Sequence, residues 1–172
     1  MTNVKICGLK DPAMIAQAAK AGADWIGLML VPESPRNILG DGPGASDLMY
    51  DLLFAAAEAN IRSVAVLSDP DERTLRILSG AVQPDVFQMH GSETPDQIAD
   101  LRSHLPPSIE VWKAIGVHSH EDLAQCEAYT HADRLLIDAK APEGAAYNGG
   151  HGQSFDWSIL NHWQAPKPWI LA

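Results

Sequence analysis

Seven short apolar runs, each followed by a longer polar-apolar segment, constrain the fold of this chain more than any other feature. The runs begin near residues 4, 25, 63, 85, 110, 134 and 168. Most are continuously apolar rather than alternating, which is typical of strands buried on both faces of a parallel sheet. Strict alternation of strand and helix, with one unit per ~30 residues, predicts a (β/α)8 TIM barrel of class α/β. A doubly wound open sheet is the alternative, but the residues after the first run do not form a Gly-rich nucleotide loop.

Helix signals separate the apolar runs. Asp11 is a candidate N-cap before Pro12, Thr94 precedes Pro95, and Ser119 precedes acidic residues, which favour a helix N-terminus. The predicted helices cover residues 13–21, 46–60, 71–79, 94–104, 119–129 and 155–162. The predicted strands cover residues 4–9, 25–31, 63–67, 85–90, 110–116, 134–138 and 168–172.

A count of these elements predicts an incomplete barrel. Seven strands are present, and helix 7, strand 8 and helix 8 are lacking, which corresponds to roughly 35–45 residues. We expect residues 1–172 to form a single partial barrel domain and to be a truncated version of a longer chain. Because phosphate-binding barrels hold the phosphate in the loops after strands seven and eight, we also expect this form to be inactive or nearly so.

Charge and composition limit the possible partners. The net charge of -10 argues against nucleic acid, since little could neutralise a run of phosphates. The two cysteines, Cys7 and Cys126, form no C-x-x-C pattern and suit a reducing cytosol. The first strand begins too early for a signal peptide, and no apolar run is long enough to cross a bilayer. These features predict a cytoplasmic protein without a membrane partner.

Candidate reactive residues follow several predicted strands, where barrels place their active sites. These residues are Cys7, Arg36, His90, Lys113, Asp138 and Lys140. Cys7 on strand one and Asp138 on strand six are a plausible pair of base and acid. Lys5 shares the strand face of Cys7 and is expected to favour its thiolate. On the stretch from Val4 to Leu9 alone, Cys7 is equally well interpreted as a small packing residue.

Several motifs together resemble the phosphoribosylanthranilate isomerases of tryptophan biosynthesis. They are Ile6-Cys7-Gly8-Leu9, Ser34-Pro35-Arg36, Gln88-Met89-His90-Gly91, Leu136-Ile137-Asp138-Ala139-Lys140, and Gly149-Gly150-His151-Gly152 followed by Phe155-Asp156-Trp157. They occur in the order of that family and cover essentially the whole chain. The combination is specific, although each motif alone is weak.

The resemblance implies an isomerase without cofactor or metal. The reaction is the Amadori rearrangement of N-(5-phosphoribosyl)anthranilate to 1-(2-carboxyphenylamino)-1-deoxyribulose 5-phosphate. The position of Asp138 matches the general acid that protonates the ring oxygen, and the position of Cys7 matches the base that removes the C2 proton. The only partner implied is this small phosphosugar-anthranilate substrate, and the protein is expected to be a monomer or a homodimer.

The resemblance also implies substrate-binding residues. Arg36 matches the position that holds the anthranilate end, where a guanidinium pairs with the carboxylate or stacks on the ring. Gly149, Gly150 and Gly152 match a loop that closes over the ligand. His90 is either a substrate contact or simply a satisfied polar group at a strand end, and its neighbour Gln88 is expected to be structural.

Two other functions remain open from the residues alone. Lys113 or Lys140 would suit a Schiff-base aldolase acting on a sugar phosphate, although we expect both lysines to form ion pairs with carboxylates. The third possibility is a non-catalytic partial barrel that pairs its open edges with another chain. Cys126, in the middle of a predicted helix, is expected to be a packing residue.

Overall fold

The computed structural model describes residues 2–39, 45–80, 82–142, 144–145 and 154–172. The chain divides into two compact units, Met1–Phe87 and Gln88–Ala172. The division falls within one strand, β4 (Val86–Met89). Strands and helices alternate through both units, as the pattern of apolar runs predicts. The chain is therefore of class α/β.

The first unit consists of three parallel strands and their helices. In chain order they are β1 (Lys5–Cys7), α1 (Pro12–Lys20), β2 (Trp25–Met29), α2 (Ala45–Glu58), β3 (Arg62–Leu67) and α3 (Glu72–Leu78). The strands pair in the order β1-β2-β3, with Cys7 opposite Gly27 and Gly27 opposite Val64. This register places the reactive end of β1 beside a residue that has no side chain.

The second unit repeats the arrangement. After β4 come α4 (Pro95–His104), β5 (Glu110–Val117), α5 (His120–Ala124), a 3₁₀ helix (Gln125–Ala128), β6 (Arg134–Ala139), a second 3₁₀ helix (Trp157–Leu160) and β7 (Trp169–Leu171). The strands pair in parallel in the order β5-β6-β7, with Gly116 opposite Asp138. Residues of β5, β6, α5 and both 3₁₀ helices form one hydrophobic cluster, which contains Cys126 at 1% exposure.

Burial follows the prediction for the inner strands but not for the end strands. Every residue of β2 and β4 is buried, and so are most residues of β3 and β5 and half of those of β6. The prediction of a buried first strand is wrong, because Ile6 is 39% exposed and Cys7 is also exposed. Leu171 of β7 is likewise 41% exposed. Each of these strands is the end strand of its unit, so only one neighbouring strand covers it.

The helix starts lie where polar side chains satisfy backbone N–H groups. Asp11 accepts a hydrogen bond from Ala13 N, and Thr94 forms a reciprocal capping box with Gln97. Ser119 caps α5 in the same way with Asp122. For α3, the cap is Asp71, so this helix begins one residue after the predicted start at residue 71.

Two predicted helices are shorter than their sequence patterns indicate. The segment predicted over 119–129 is α5 continued by a 3₁₀ helix, which ends where Tyr129 N donates to Cys126 O, an i to i−3 bond. The segment predicted over 155–162 contains only the four-residue 3₁₀ helix. It cannot extend further because His162 has φ +66°, outside the helical region. No helix in the described parts of the chain is long and apolar enough to cross a membrane.

Candidate functional site

Cys7 is the last residue of β1, and its thiol is exposed rather than packed in the core. This position rules out the interpretation of Cys7 as a buried packing residue. The free space around the sulfur comes from Gly27, its partner across the β1-β2 pair. A Cβ atom built on Gly27 would lie 2.6 Å from Cys7 Sγ, closer than real Cβ contacts allow.

Lys5 lies on the same face of β1, as the alternation of strand side chains predicts. Its Nζ atom is 3.1 Å from the same hypothetical Cβ position of Gly27. The separation between Lys5 Nζ and Cys7 Sγ is therefore no greater than the sum of these two distances. A lysine ammonium and a thiol therefore lie near each other on one face of β1.

Arg36 is half-buried and packs against the backbone just after Cys7. A Cβ on Gly8 would lie 2.9 Å from Arg36 Cδ, so a side chain here would press on Arg36. Gly8 also has φ +86°, a backbone conformation that strains any residue with a side chain. The loop before Arg36 is also fixed. Ser34 Oγ, on a buried residue, accepts a hydrogen bond from Arg36 N at 3.2 Å, and Lys10 Nζ donates to Pro35 O at 2.9 Å. Arg36 is thus held in place and is not a freely solvated loop residue.

In the second unit, His90 and Asp138 lie together. His90 follows the last residue of β4, and Asp138 is the penultimate residue of β6. His90 Nε2 is 3.5 Å from Asp138 Oδ2, and the two side chains are 14% and 13% exposed. The other carboxylate oxygen, Oδ1, accepts a hydrogen bond from Ala139 N at 2.7 Å, which orients Oδ2 toward the imidazole.

Lys113 lies in the middle of β5 rather than at its carboxyl end, where the sequence suggested it. Its Nζ donates to Glu93 Oε2 at 2.8 Å and to Gly91 O at 2.7 Å. Glu93 in turn accepts from Gly91 N, and its backbone carbonyl accepts from Tyr129 OH. The predicted ion pair of Lys113 is therefore confirmed, and it fixes the turn that directly follows His90.

Lys140 also forms the predicted ion pair, with Asp122 Oδ1 at 3.0 Å. The other oxygen of Asp122 accepts from the backbone N–H groups of His118 and Ser119. Burial alone would raise the pKa of Asp122, but these hydrogen bonds and the Lys140 ammonium outweigh it, so the pKa lies below its ordinary value. Both lysines that were candidates for an aldolase Schiff base, Lys113 and Lys140, are therefore paired with carboxylates.

Sequence reasoning missed three contributors to these surroundings. Gly27 is visible only once its register with Cys7 is known. Glu93 and Asp122 resemble ordinary polar residues near helix N-termini, yet both are almost fully buried. The position of Asp122 three residues after Ser119 is the capping-box spacing, and this signal could have marked it.

Some predicted site features lie outside the described residues. Gly149, Gly150 and Gly152, the expected ligand loop, belong to this group. Within the described residues, no group of three His, Cys, Asp or Glu side chains is arranged to hold a metal ion.

In each unit, reactive side chains lie at or near the carboxyl ends of parallel strands, Cys7 in the first and His90 and Asp138 in the second, which is where (β/α)8 barrel enzymes carry their active-site residues. Comparison with known proteins specifies the class. The family model of N-(5'-phosphoribosyl)anthranilate isomerase matches residues 4–172. The N-(5'-phosphoribosyl)anthranilate isomerase of Hyphomonas neptunium is 43% identical over 178 aligned residues, covering 100% of this chain and 76% of that protein.

Solved structures agree with the family model. The crystal structure of phosphoribosyl anthranilate isomerase from Thermotoga maritima has a TM-score of 0.72 at 28% identity, covering 100% of this chain and 77% of the other. A crystal structure of a phosphoribosyl anthranilate isomerase in complex with reduced 1-(o-carboxyphenylamino)-1-deoxyribulose 5-phosphate has a TM-score of 0.65 at 26% identity, covering 94% of this chain and 69% of the other. This chain belongs to the N-(5'-phosphoribosyl)anthranilate isomerase family, and the residues that the structure describes contain seven strands of the (β/α)8 fold.

Proposed function

We propose that this isomerase chain uses Cys7 as general base and Asp138 as general acid in the Amadori rearrangement of N-(5'-phosphoribosyl)anthranilate. The observation that carries the proposal is the exposed thiol of Cys7 at the carboxyl end of β1, with the Lys5 ammonium close by. Family membership supplies the reaction, and the local surroundings of each residue support its role.

The first step opens the ribose ring. Asp138, in its protonated form, gives its proton to the ring oxygen while the bond from that oxygen to C1 breaks. The anthranilate nitrogen supplies the electron pair that forms the C1–N double bond of the Schiff base. The acid is then a carboxylate. The Ala139 N–H group on Oδ1 and the imidazole near Oδ2 support that charged form.

The second step moves the carbonyl group. Cys7 as thiolate removes the proton from C2, and the C2–H electrons form the C1–C2 double bond of the enolamine as the nitrogen becomes neutral. Loss of the O2 proton and protonation of C1 then give the ketone. The gain of one proton by Cys7 is balanced by the one that Asp138 gave, so the net reaction is an isomerisation.

Arg36, in this proposal, binds the anthranilate end of the substrate. Its guanidinium is bidentate and permanently charged, which matches a carboxylate on an aromatic ring. Its packing on Gly8 keeps the side chain next to the residue that carries the base. His90 and the glycines at 149, 150 and 152 complete the proposed substrate-binding set.

Alternative functions have less support. An aldolase requires an unprotonated lysine amine, whereas Lys113 and Lys140 are each paired with a carboxylate. A monomeric or homodimeric state and a cytoplasmic location remain parts of the proposal. The solved structures of the Thermotoga maritima enzyme include one of monomers of the dimeric phosphoribosylanthranilate isomerase.

The test follows the loss of phosphoribosylanthranilate fluorescence with purified chain at micromolar concentration. Turnover is expected to be low, and Cys7→Ala and Asp138→Asn should each lower it by at least about 100-fold. Cys126→Ala is the matched control and should leave the rate unchanged. If Cys7→Ala converted substrate as fast as the parent chain, the assignment of the base would be wrong.

A second measurement does not depend on turnover. The reduced product analogue, 1-(o-carboxyphenylamino)-1-deoxyribulose 5-phosphate in reduced form, should slow alkylation of Cys7 by iodoacetamide. Inorganic phosphate at the same concentration should protect much less. Equal alkylation rates with and without the analogue would contradict a ligand site at Cys7.

A further inference from the structure

Gln88 presents an unusual side chain for the interior of a barrel strand. It lies in β4, is 1% exposed, and its Oε1 atom has no hydrogen-bond partner among the residues that the structure describes. A buried amide oxygen without a hydrogen bond destabilises the folded state relative to one that is hydrogen-bonded. Leu or Met would fill a similar volume at no such cost, so packing alone does not account for an amide at this position.

The amide nitrogen of Gln88 makes a specific contact. It lies 3.2 Å from Nδ1 of His90, two residues further along the same strand face. The opposite ring nitrogen, Nε2, faces Oδ2 of Asp138 at 3.5 Å. The three side chains therefore form a row in which the imidazole lies between an amide and a carboxyl group.

The row links the tautomer of His90 to the proton of Asp138. A carboxylate only accepts hydrogen bonds, so it favours the neutral ring with the proton on Nε2. Nδ1 then carries a lone pair, and the NH₂ group of Gln88 is the donor that matches it. The structure places the amide nitrogen of Gln88 opposite Nδ1, as this tautomer requires.

A protonated Asp138 reverses these requirements. Its O–H group donates to Nε2, which must then carry the lone pair, and the ring proton moves to Nδ1. The Nδ1–H group then needs a hydrogen-bond acceptor opposite it. A half-turn of the Gln88 amide supplies Oε1, the buried oxygen that has no partner in the other arrangement.

We infer that Gln88 is a positioning residue that sets the tautomer of His90, so that His90 matches either protonation state of Asp138. This inference rests on the proposed role of Asp138 as the acid, which must pass from the protonated to the ionised form in each turnover. An amide is uncharged and can present either a donor or an acceptor to the same ring nitrogen after a half-turn that hardly changes its shape. Neither Leu nor Glu at this position would serve both states.

The test is the ¹⁵N spectrum of the histidine side chains in the uniformly labelled chain at pH 8. His90 is assigned as the signal missing from His90→Asn. In the parent chain, we expect Nε2 to be protonated and Nδ1 to be bare. Gln88→Glu offers only an acceptor when ionised, so with Asp138 also ionised it should add a proton at Nδ1 while Nε2 stays protonated. Gln88→Leu removes the donor to Nδ1 and should weaken the preference for the Nε2-protonated form.

The exposed His104 is the internal control and should keep its signal in all variants. Since a buried substitution at Gln88 can impair folding, Asp138→Asn serves as a second variant with the amide intact. Without the carboxylate, His90 should lose its preference for the Nε2-protonated form. An unchanged tautomer in the folded Gln88 variants, or in Asp138→Asn, would overturn the inference.

Kinetics add a readout that separates this inference from the proposed function. Where the parent chain shows turnover, Gln88→Leu and His90→Asn should each lower kcat by about tenfold or more, and Gln88→Leu should leave KM nearly unchanged. The double variant should have a kcat no lower than that of the worse single variant. Additive losses would contradict a common route through Asp138. The tautomer result stands whether or not the chain is active, so a failure of the catalytic assignment does not mask it.

Discussion

Glu93 and Lys113 form an ion pair at 2.8 Å in which the side chains are only 4% and 3% exposed. Lys113 also donates to Gly91 O, and the Glu93 carboxylate accepts from Gly91 N. The turn that follows His90 is thus attached to the middle of β5 by two charges that water does not reach. Breaking such a pair leaves one charge buried without a partner, which is the main cost of losing it.

Glu93→Gln should therefore lower the free energy of unfolding by about 3–5 kcal/mol. Adding Lys113→Met should recover part of the loss, because the unpaired charge is then removed. The control is Glu72→Gln, which breaks an exposed pair with Arg76 and should change stability by less than about 1 kcal/mol. Urea denaturation measures all three, and equal losses for Glu93→Gln and Glu72→Gln would contradict the buried-pair argument.

Asp122 gives a pH-dependent prediction. Its pKa lies below the ordinary value of 3.8, so its contribution to stability is fully present above pH 3.8 and is lost as the pH falls through the folded-state pKa. Asp122→Asn should cost about 1–3 kcal/mol at pH 7 through the lost cap and ion pair. The difference between parent and variant should shrink below about pH 4.

Asp96→Asn is the control for Asp122→Asn, since Asp96 is an exposed carboxylate in the first turn of α4. We expect it to change stability by less than about 0.5 kcal/mol at either pH. Urea denaturation of the parent and both variants at pH 7 and at pH 3 gives the comparison. A constant difference for Asp122→Asn at both pH values would show that the carboxylate charge is not involved.

For Cys126, we expect the free energy of unfolding to fall as the pH rises. Burial raises the pKa of its thiol from 9.0 to about 11. Between these values the unfolded chain has lost the thiol proton and the folded chain has kept it, so the free energy of unfolding falls as the pH rises. The parent chain should lose on the order of 1 kcal/mol more than Cys126→Ala between pH 8 and pH 10. Parallel losses in the two proteins would contradict a buried neutral thiol.

The order of elements and most of the reactive residues were accessible from the sequence because they depend on local patterns. Continuous apolar runs identify inner strands, and Asp11, Thr94 and Ser119 identify helix starts. The exposure of β1 was not accessible, since it depends on which strand covers its other side. Nothing in the sequence around Ile6 and Cys7 indicates whether a second strand covers β1.

The surroundings of the site depend on contacts between distant segments, which explains what the sequence did not reveal. Gly27 matters only because it lies opposite Cys7, 20 residues away in the chain. The burial of Glu93 depends on Lys113, and no pattern local to either residue indicates it. By contrast, the ion pair of Lys113 could be predicted because a lysine in a buried strand requires a counter-charge.

Gly27 leads to a prediction about the thiol. In Gly27→Ala, the new methyl group would meet Cys7 Sγ at 2.6 Å, so the sulfur must move. Stability should fall by about 1–3 kcal/mol, as in other overpacked sites, and alkylation of Cys7 should slow. Gly80→Ala, at a glycine after α3, is the control and should leave the alkylation rate unchanged. An unaltered Cys7 rate in folded Gly27→Ala would show that the space over Gly27 does not position the sulfur.

Lys5 gives the most direct test of how the thiol is activated. Because Lys5 Nζ and Cys7 Sγ both lie close to the same point above Gly27, the ammonium is worth up to about 1 kcal/mol in a water-exposed site. This energy corresponds to at most about a fivefold change in the thiolate population. Lys5→Met should lower the alkylation rate of Cys7 at pH 7 by up to that factor and move its pH profile to higher pH, whereas Lys5→Arg should retain most of the rate. Lys20→Met, at the exposed end of α1, removes the same charge from the unit and should have no effect. If the pH profile of Lys5→Met coincided with that of the parent chain, Lys5 would have no part in activating Cys7.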